Sequence, residues 1–212
     1  MRSRRINTNR NQATIMNPSD QISQHFARSQ QALSDAQQAL KAKIAQSASA
    51  MAETLDAGGK LLICGNGGSA ADALHLSSEL LNKFVMDRAP LAAITLNSDV
   101  SALTSIANDF AFEYIFSKQV EALGKEKDLL VVFTTSGNSA NISHAIEAAG
   151  RQNMRVLALT GKTGGAAARL LSDNDIELRV PNEETARIQE VHGLIIHCLC
   201  DLIDQQLFGE QT

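Results

Sequence analysis

His75 and Glu79 stand four residues apart in a segment with helical apolar spacing, so an imidazole and a carboxylate share one face and can reach a common ion. Gln189 and His197 form a second pair, with Gly193 midway between them. Steps of four keep all three near one helix face, and two turns separate the end residues by roughly 12 Å. That is too far for direct contact, but an ion over Gly193 is reachable from both ends because no side chain blocks it. On their own these residues also have plainer readings, and those are the commoner ones. The His/Glu pair reads as a surface hydrogen bond, Gln189 as a polar face residue and His197 as a satisfied core histidine.

Two loops could hold an anion. Gly65-Asn66-Gly67-Gly68-Ser69 follows one apolar run, Thr134-Thr135-Ser136-Gly137-Asn138-Ser139 follows another, and each opens a helical segment. Glycines permit the tight turn, free N–H groups and the dipole of a helix N-terminus favour negative charge, and hydroxyls add neutral donors. Neither loop carries the lysine of a nucleotide-binding P-loop, and the first lacks the dinucleotide glycine spacing. A sugar phosphate therefore fits better than a nucleotide, with simple helix capping as the plainer reading of either loop alone.

The elements that must position these residues are legible as alternating apolar runs and helical segments. Short runs at Lys60 to Cys64, Leu91 to Leu96, Asp128 to Thr134, Arg155 to Thr160 and Asp175 to Val180 suit buried parallel strands. One or two helices are expected over Ser19 to Asp56. Others follow at about Ala70 to Phe84, Val100 to Leu123, Ser139 to Gln152, Gly164 to Leu171 and Glu184 to Phe208. Strands separated by helices predict an α/β fold: one five-stranded, mostly parallel sheet flanked by helices on both faces, with N-terminal helices. In such sheets ligands bind beyond the carboxyl ends of the strands, where both loops fall.

Composition excludes several classes. The 212 residues are 44% hydrophobic and 20% charged, with no Trp, one Tyr and seven Phe, so the core is aliphatic and stacking platforms for single-stranded nucleic acid are not expected. Arg2, Arg4, Arg5 and Arg10 lie in an N-terminal stretch without acids; residues 16–212 then carry 15 basic and 23 acidic residues, a balance of −8. Such a body argues against direct nucleic-acid binding. Residues 1–16 are expected to be a disordered basic arm, with Met16 hinting at an upstream extension, and residues 17–212 a single domain. With neither a signal peptide nor a run of ~18 apolar residues, a cytoplasmic protein without membrane contact is expected. Cys64, Cys198 and Cys200 lie in apolar segments and are expected to be reduced core thiols.

A glycine-rich loop after the first strand, paired with a Ser/Thr-rich loop opening a later helix, resembles the sugar isomerase (SIS) domain family. Within it the similarity is greatest to the phosphoheptose isomerase branch. The supporting segments are Cys64-Gly-Asn-Gly-Gly-Ser69, Ala107-Asn-Asp109, Thr135-Ser-Gly-Asn-Ser-Ala-Asn141, Leu159-Thr-Gly161 and Ala186-Arg-Ile-Gln-Glu-Val-His192, which appear in family order from about Met16 to Phe208. The resemblance implies a single SIS domain and a cytoplasmic homotetramer with pockets between subunits. It also implies zinc-dependent interconversion of sedoheptulose 7-phosphate and D-glycero-D-manno-heptose 7-phosphate for lipopolysaccharide core heptose.

The resemblance implies zinc ligation by His75, Glu79, Gln189 and His197. Aldose–ketose exchange through an enediol needs two proton-handling groups, for which Glu79 and His197 are the candidates. Substrate binding is expected from Asn66, Gly67, Gly68, Ser69, Glu79, Asn108, Asp109, Thr134, Thr135, Ser136, Ser139 and Gln189. Asp99 could line the pocket or cap a helix, and His192, five residues from His197, is expected to be structural. Four positions depart from the family pattern: Ala70-Ala71 where some members have His-Cys, Thr134 for Ser, and Ala186 where some carry Asp. A non-enzymatic branch, which binds the bacterial replication initiator, shares a stretch like Cys198-Leu-Cys-Asp-Leu-Ile203. Its members lack equivalents of Glu79 and His197, whose presence here favours the enzyme.

Overall fold

In the computed structural model, residues 17–209 are described; the expected basic arm at 1–16 lies outside them. The apolar runs form five strands: β1 (Leu61–Gly65), β2 (Ala93–Thr95), β3 (Leu129–Phe133), β4 (Arg155–Gly161) and β5 (Ile176–Val180). They make one sheet in the order β2-β1-β3-β4-β5, and every neighbouring pair is parallel. The expectation of a mostly parallel sheet is thus met in full. β2 is shorter than its apolar run and lies on an edge, with Ile94 exposed.

Among the described residues seven α-helices surround the sheet: α1 (Pro18–Asp56), α2 (Gly68–Leu81), α3 (Val100–Asp109), α4 (Ser117–Leu123), α5 (Ala140–Arg151), α6 (Gly165–Leu170) and α7 (Thr185–Phe208). Successive residues of β1 alternate between two cores. Leu61 and Ile63 pack with α1, α2 and α7, whereas Leu62 and Cys64 pack with α4, α5 and α6. The result is three layers, helix on sheet on helix.

One expectation left open is settled and one element differs. The N-terminal segment is one continuous 39-residue helix, about 58 Å long at 1.5 Å per residue. Asn17 caps it and Pro18 occupies its first turn. The predicted helix over Val100 to Leu123 is broken into α3, a 3-10 turn at Phe112–Tyr114 and α4. No Gly or Pro marks the break. The chain bends there so that Ile115, Phe116 and Val120 enter the core, while Phe110 and Phe112 stay exposed.

No helix among the described residues is long and apolar enough to cross a membrane. All three cysteines are free. Cys64 and Cys200 are buried, and burial pushes the Cys200 thiol up to about 12. Cys198 corrects the expectation of a core thiol: it is only half-buried and lines an apolar groove between α1 and α7.

Candidate active site

α2 and α7 run side by side in the same direction, as three successive contacts establish. Gln189 meets Gly68 at the start of α2, where a Cβ on Gly68 would lie 2.5 Å from the Gln189 amide nitrogen. One step along, His197 Nε2 lies 3.3 Å from His75 Nε2. Further on, Asp204 of α7 binds Arg88, just beyond the end of α2, at 2.6 Å. The i,i+4 spacing then places Glu79 Oε1 3.3 Å from His75 Nε2. His75, Glu79 and His197 thereby come together, although the two helices leave opposite ends of the sequence. The Phe84 ring stacks on His197 with centroids 5.4 Å apart.

The donor set suits zinc. A tetrahedral zinc site with bonds of roughly 2.0–2.1 Å spaces its ligand atoms about 3.3–3.4 Å apart, the separation of both contacts to His75 Nε2. The three donors form a chain through His75; among the described residues no set of three His, Cys, Asp or Glu side chains is closed around one centre. The fourth predicted ligand, Gln189, is turned toward Gly68. Asp72, one turn before His75, has a carboxylate oxygen buried without a hydrogen-bond partner. Its desolvation pushes the carboxyl up to about 6 against the opposing charge of His75.

The loops that open α2 and α5 lie at the carboxyl ends of β1 and β3, neighbours in the sheet. Neither helix has a side-chain capping bond at its N-cap, Gly67 or Ser139; Ser69, Ala70 and Ile142 in their first turns donate to the Asn66, Gly67 and Ser139 carbonyls, and the positive end of each helix dipole faces the loop. The two loops are tied together by reciprocal amide hydrogen bonds between Asn66 and Asn141, at 2.8 and 2.9 Å. An open cleft of about 480 Å³ runs along them, lined by Asn66, Ser139, Asn141 and the 111–113 segment.

Within the second loop, Thr134 accepts from the Gly137 N–H at 3.1 Å and Ser136 from the Asn138 N–H at 3.2 Å. Gly137 adopts φ +68°, and a Cβ there would stand 1.9 Å from the Gly164 carbonyl oxygen, so only glycine fits. Thr135 and Ser139 are half-buried, and Ser69 is buried beneath the first loop.

The remaining predicted residues have other partners. Asn108 and Asp109 are exposed at the end of α3 and hydrogen-bonded to each other at 2.9 Å. Asp99 is the N-cap of α3, accepting from the Ala102 N–H at 2.9 Å. His192 is fully buried, its Nε2 3.1 Å from the Thr160 carbonyl oxygen, and burial pulls its imidazole down to about 4. It is structural, as expected.

Sequence reasoning missed Asn97, Asn141 and Arg88. Asn97, just after β2, clamps Gly65 by accepting from its N–H at 3.2 Å and donating to its carbonyl at 2.9 Å. An Asn at the carboxyl end of an apolar run was the available signal for Asn97.

The SIS domain family matches residues 24–161. A phosphoheptose isomerase of Alkalilimnicola ehrlichii is 55% identical over 194 residues, covering 92% of this chain and 99% of that protein. One from a Shewanella species is 53% identical over 191 residues, covering 90% and 97%. Among solved structures, a phosphoheptose isomerase from Francisella tularensis superposes with a TM-score of 0.88 at 51% identity, covering 90% of this chain and all of that one. That from Neisseria gonorrhoeae gives 0.85 at 48%, covering 89% and all. With such identity along nearly whole chains and one shared fold, the chain belongs to the SIS domain family and, within it, to the phosphoheptose isomerases.

Proposed function

We propose that the chain interconverts sedoheptulose 7-phosphate and D-glycero-D-manno-heptose 7-phosphate as a zinc-dependent homotetramer in the cytoplasm, providing heptose for the lipopolysaccharide core. The observation that carries this reading is the meeting of His75, Glu79 and His197 beside α2, the helix that also opens at the glycine loop. The substrate phosphate is held by the second loop, through Thr134, Thr135, Ser136 and Ser139, together with Ser69. Its sugar hydroxyls meet Asn66, Asn108, Asp109 and Gln189, with Gly67 and Gly68 offering backbone N–H groups.

Glu79 takes a proton from the carbon beside the carbonyl, leaving an enediolate. His197 delivers a proton to the neighbouring carbon, and the hydroxyl proton passes from one oxygen to the other. Carbonyl and hydroxyl thus exchange places without net change in atoms or electrons, and proton exchange with solvent resets the pair. When bound, a zinc ion would be held by His75, Glu79, His197 and Gln189 and would supply positive charge to polarise the carbonyl oxygen. His197 Nε2, the nitrogen that faces His75, cannot bind metal and carry the proton at once, so its proton-delivery role requires that nitrogen to be free of metal.

The direct test is conversion of sedoheptulose 7-phosphate with product identification, using zinc-loaded and chelator-treated protein. Conversion is expected only with metal. A folded, zinc-loaded tetramer that converts nothing would favour a non-catalytic SIS protein that binds the replication initiator. Ser136→Ala is expected to raise KM about tenfold or more at little changed kcat, because a hydrogen bond to a charged group contributes roughly 1.5–3 kcal/mol. An unchanged KM would remove Ser136 from the phosphate site.

A further inference from the structure

Arg88 lies in the irregular segment between α2 and β2, where a lone arginine would ordinarily point to water. Instead its side chain is 1% exposed, and every nitrogen of its guanidinium is engaged. Nε binds Asp204 Oδ1 of α7 at 2.6 Å. Nη2 donates to the Glu79 carbonyl at 2.9 Å, and Nη1 to the carbonyls of Leu80, Asn82 and Ala89 at 2.9, 3.4 and 3.1 Å. Those of Glu79 and Leu80 belong to the last turn of α2, whose carbonyls lack partners within the helix. One side chain therefore grips the end of α2 and bolts it to α7.

The two residues expected to move protons lie on those two helices. Glu79 is held through its own carbonyl. His197 lies two turns before Asp204 on α7, and Phe84, in the same clamped segment, stacks on its ring. We propose that Arg88, paired with Asp204, is a positioning residue that sets the separation of α2 and α7 and thereby the geometry between Glu79 and His197. This rests on the catalytic reading above. A planar fork with five donors suits the task; a lysine ammonium can pair with Asp204 but cannot span carbonyls and carboxylate together.

Removing Arg88 alone leaves Asp204 buried and unpaired, so the informative variant is Arg88→Met/Asp204→Leu, which removes both charges and keeps the volume apolar. We expect this variant to fold, with kcat lowered about 10²-fold through misplacement of the reacting groups and KM within about threefold of wild type. Zinc affinity, measured by calorimetry, should fall roughly 10–100-fold, as for lost outer-shell support. In its crystal structure the contact between His75 and His197 should open beyond 3.3 Å. Arg88→Lys is expected to recover stability but not rate.

A folded double variant with wild-type kcat, zinc affinity and histidine separation would overturn the proposal. If the wild type itself converts no sedoheptulose 7-phosphate, the catalytic reading falls and the histidine separation alone decides the clamp. Should the double variant not fold, Phe84→Leu tests the second arm. Loss of its ring stacking should lower kcat roughly 2–10-fold with a small drop in thermal stability, because Phe84 also packs on the core, and unchanged kcat would count against the proposal.

Discussion

Glu79→Gln is expected to lower kcat about 10³-fold, within the roughly 10²–10⁴ range for loss of a positioned acid–base group, while leaving fold and assembly intact. Glutamine keeps the shape and can still hydrogen-bond His75, but its amide cannot accept a proton at working pH. Glu79 is partly exposed on α2, with a side chain 23% accessible, so the exchange strands no buried charge. His197→Asn is expected to do the same from the opposite helix, because asparagine retains a polar group without a titrating nitrogen. The two residues act on one substrate in one sequence of proton transfers, so Glu79→Gln/His197→Asn should be little slower than either single variant. Steady-state kinetics with circular dichroism and sedimentation decide the matter. Near-normal turnover in either single variant removes that residue from the chemistry, and multiplicative losses would show that the pair does not work as a unit.

The second large effect concerns stability and comes from His192. Its imidazole is pulled from 6.5 to about 4 because burial disfavours the charged form more than the Thr160 carbonyl favours it. The unfolded chain therefore binds a proton below pH 6.5 that the native chain refuses until about pH 4. Stability from this residue is complete above pH 6.5 and is lost as pH falls to 4, a total of about 3 kcal/mol. Asp72 works in the opposite sense. Its carboxyl is raised from 3.8 to about 6, so its folded state favours the proton and gains stability relative to neutral pH as pH falls through the same window. The two slopes partly offset each other in the wild type. His192→Gln isolates the histidine: it should be less stable at pH 7 for packing reasons, yet its profile between pH 6.5 and 4 should lose about 3 kcal/mol less than wild type. Denaturant unfolding of metal-free protein at fixed protomer concentration measures this, and parallel profiles would show that His192 is not held neutral by the fold.

Much of this architecture is legible in the chain. The runs around Leu61 to Cys64 and Leu129 to Phe133 suit strands buried on both faces, and the loops after them fall at the carboxyl ends where an α/β sheet binds ligands. The pairing of His75 with Glu79 follows from helical period alone. The meeting of His75 with His197 does not, because 122 residues separate them and no local pattern encodes how α2 lies along α7; family resemblance supplied that pair. Gln189 shows the limit of spacing arguments. It shares a helix face with His197, yet its amide is turned toward Gly68. The break after Asp109 escaped notice because tertiary burial of Ile115 and Phe116 causes it, with no local turn residue. Arg88 was invisible for a related reason, since nothing around it in sequence predicts that its partner is Asp204, 116 residues away.

The packing of α1 against α7 also sets a timetable for synthesis. Ser29 near the start of the chain bonds Glu190 near its end, and the Arg187 guanidinium donates to the His25 carbonyl at 2.9 Å. About 130 residues lie between the two helices, roughly 6 to 26 s of translation at about 5–20 residues per second. During that interval the α1 stripe lacks the part of its cover that α7 supplies, although the strands made earlier pack on Ala48 and Met51. Contacts so distant in sequence also slow folding after release. A nascent chain of this protein thus presents a long, sticky helix to its surroundings before all the residues that conceal it have been made, a natural handle for a chaperone at the ribosome exit.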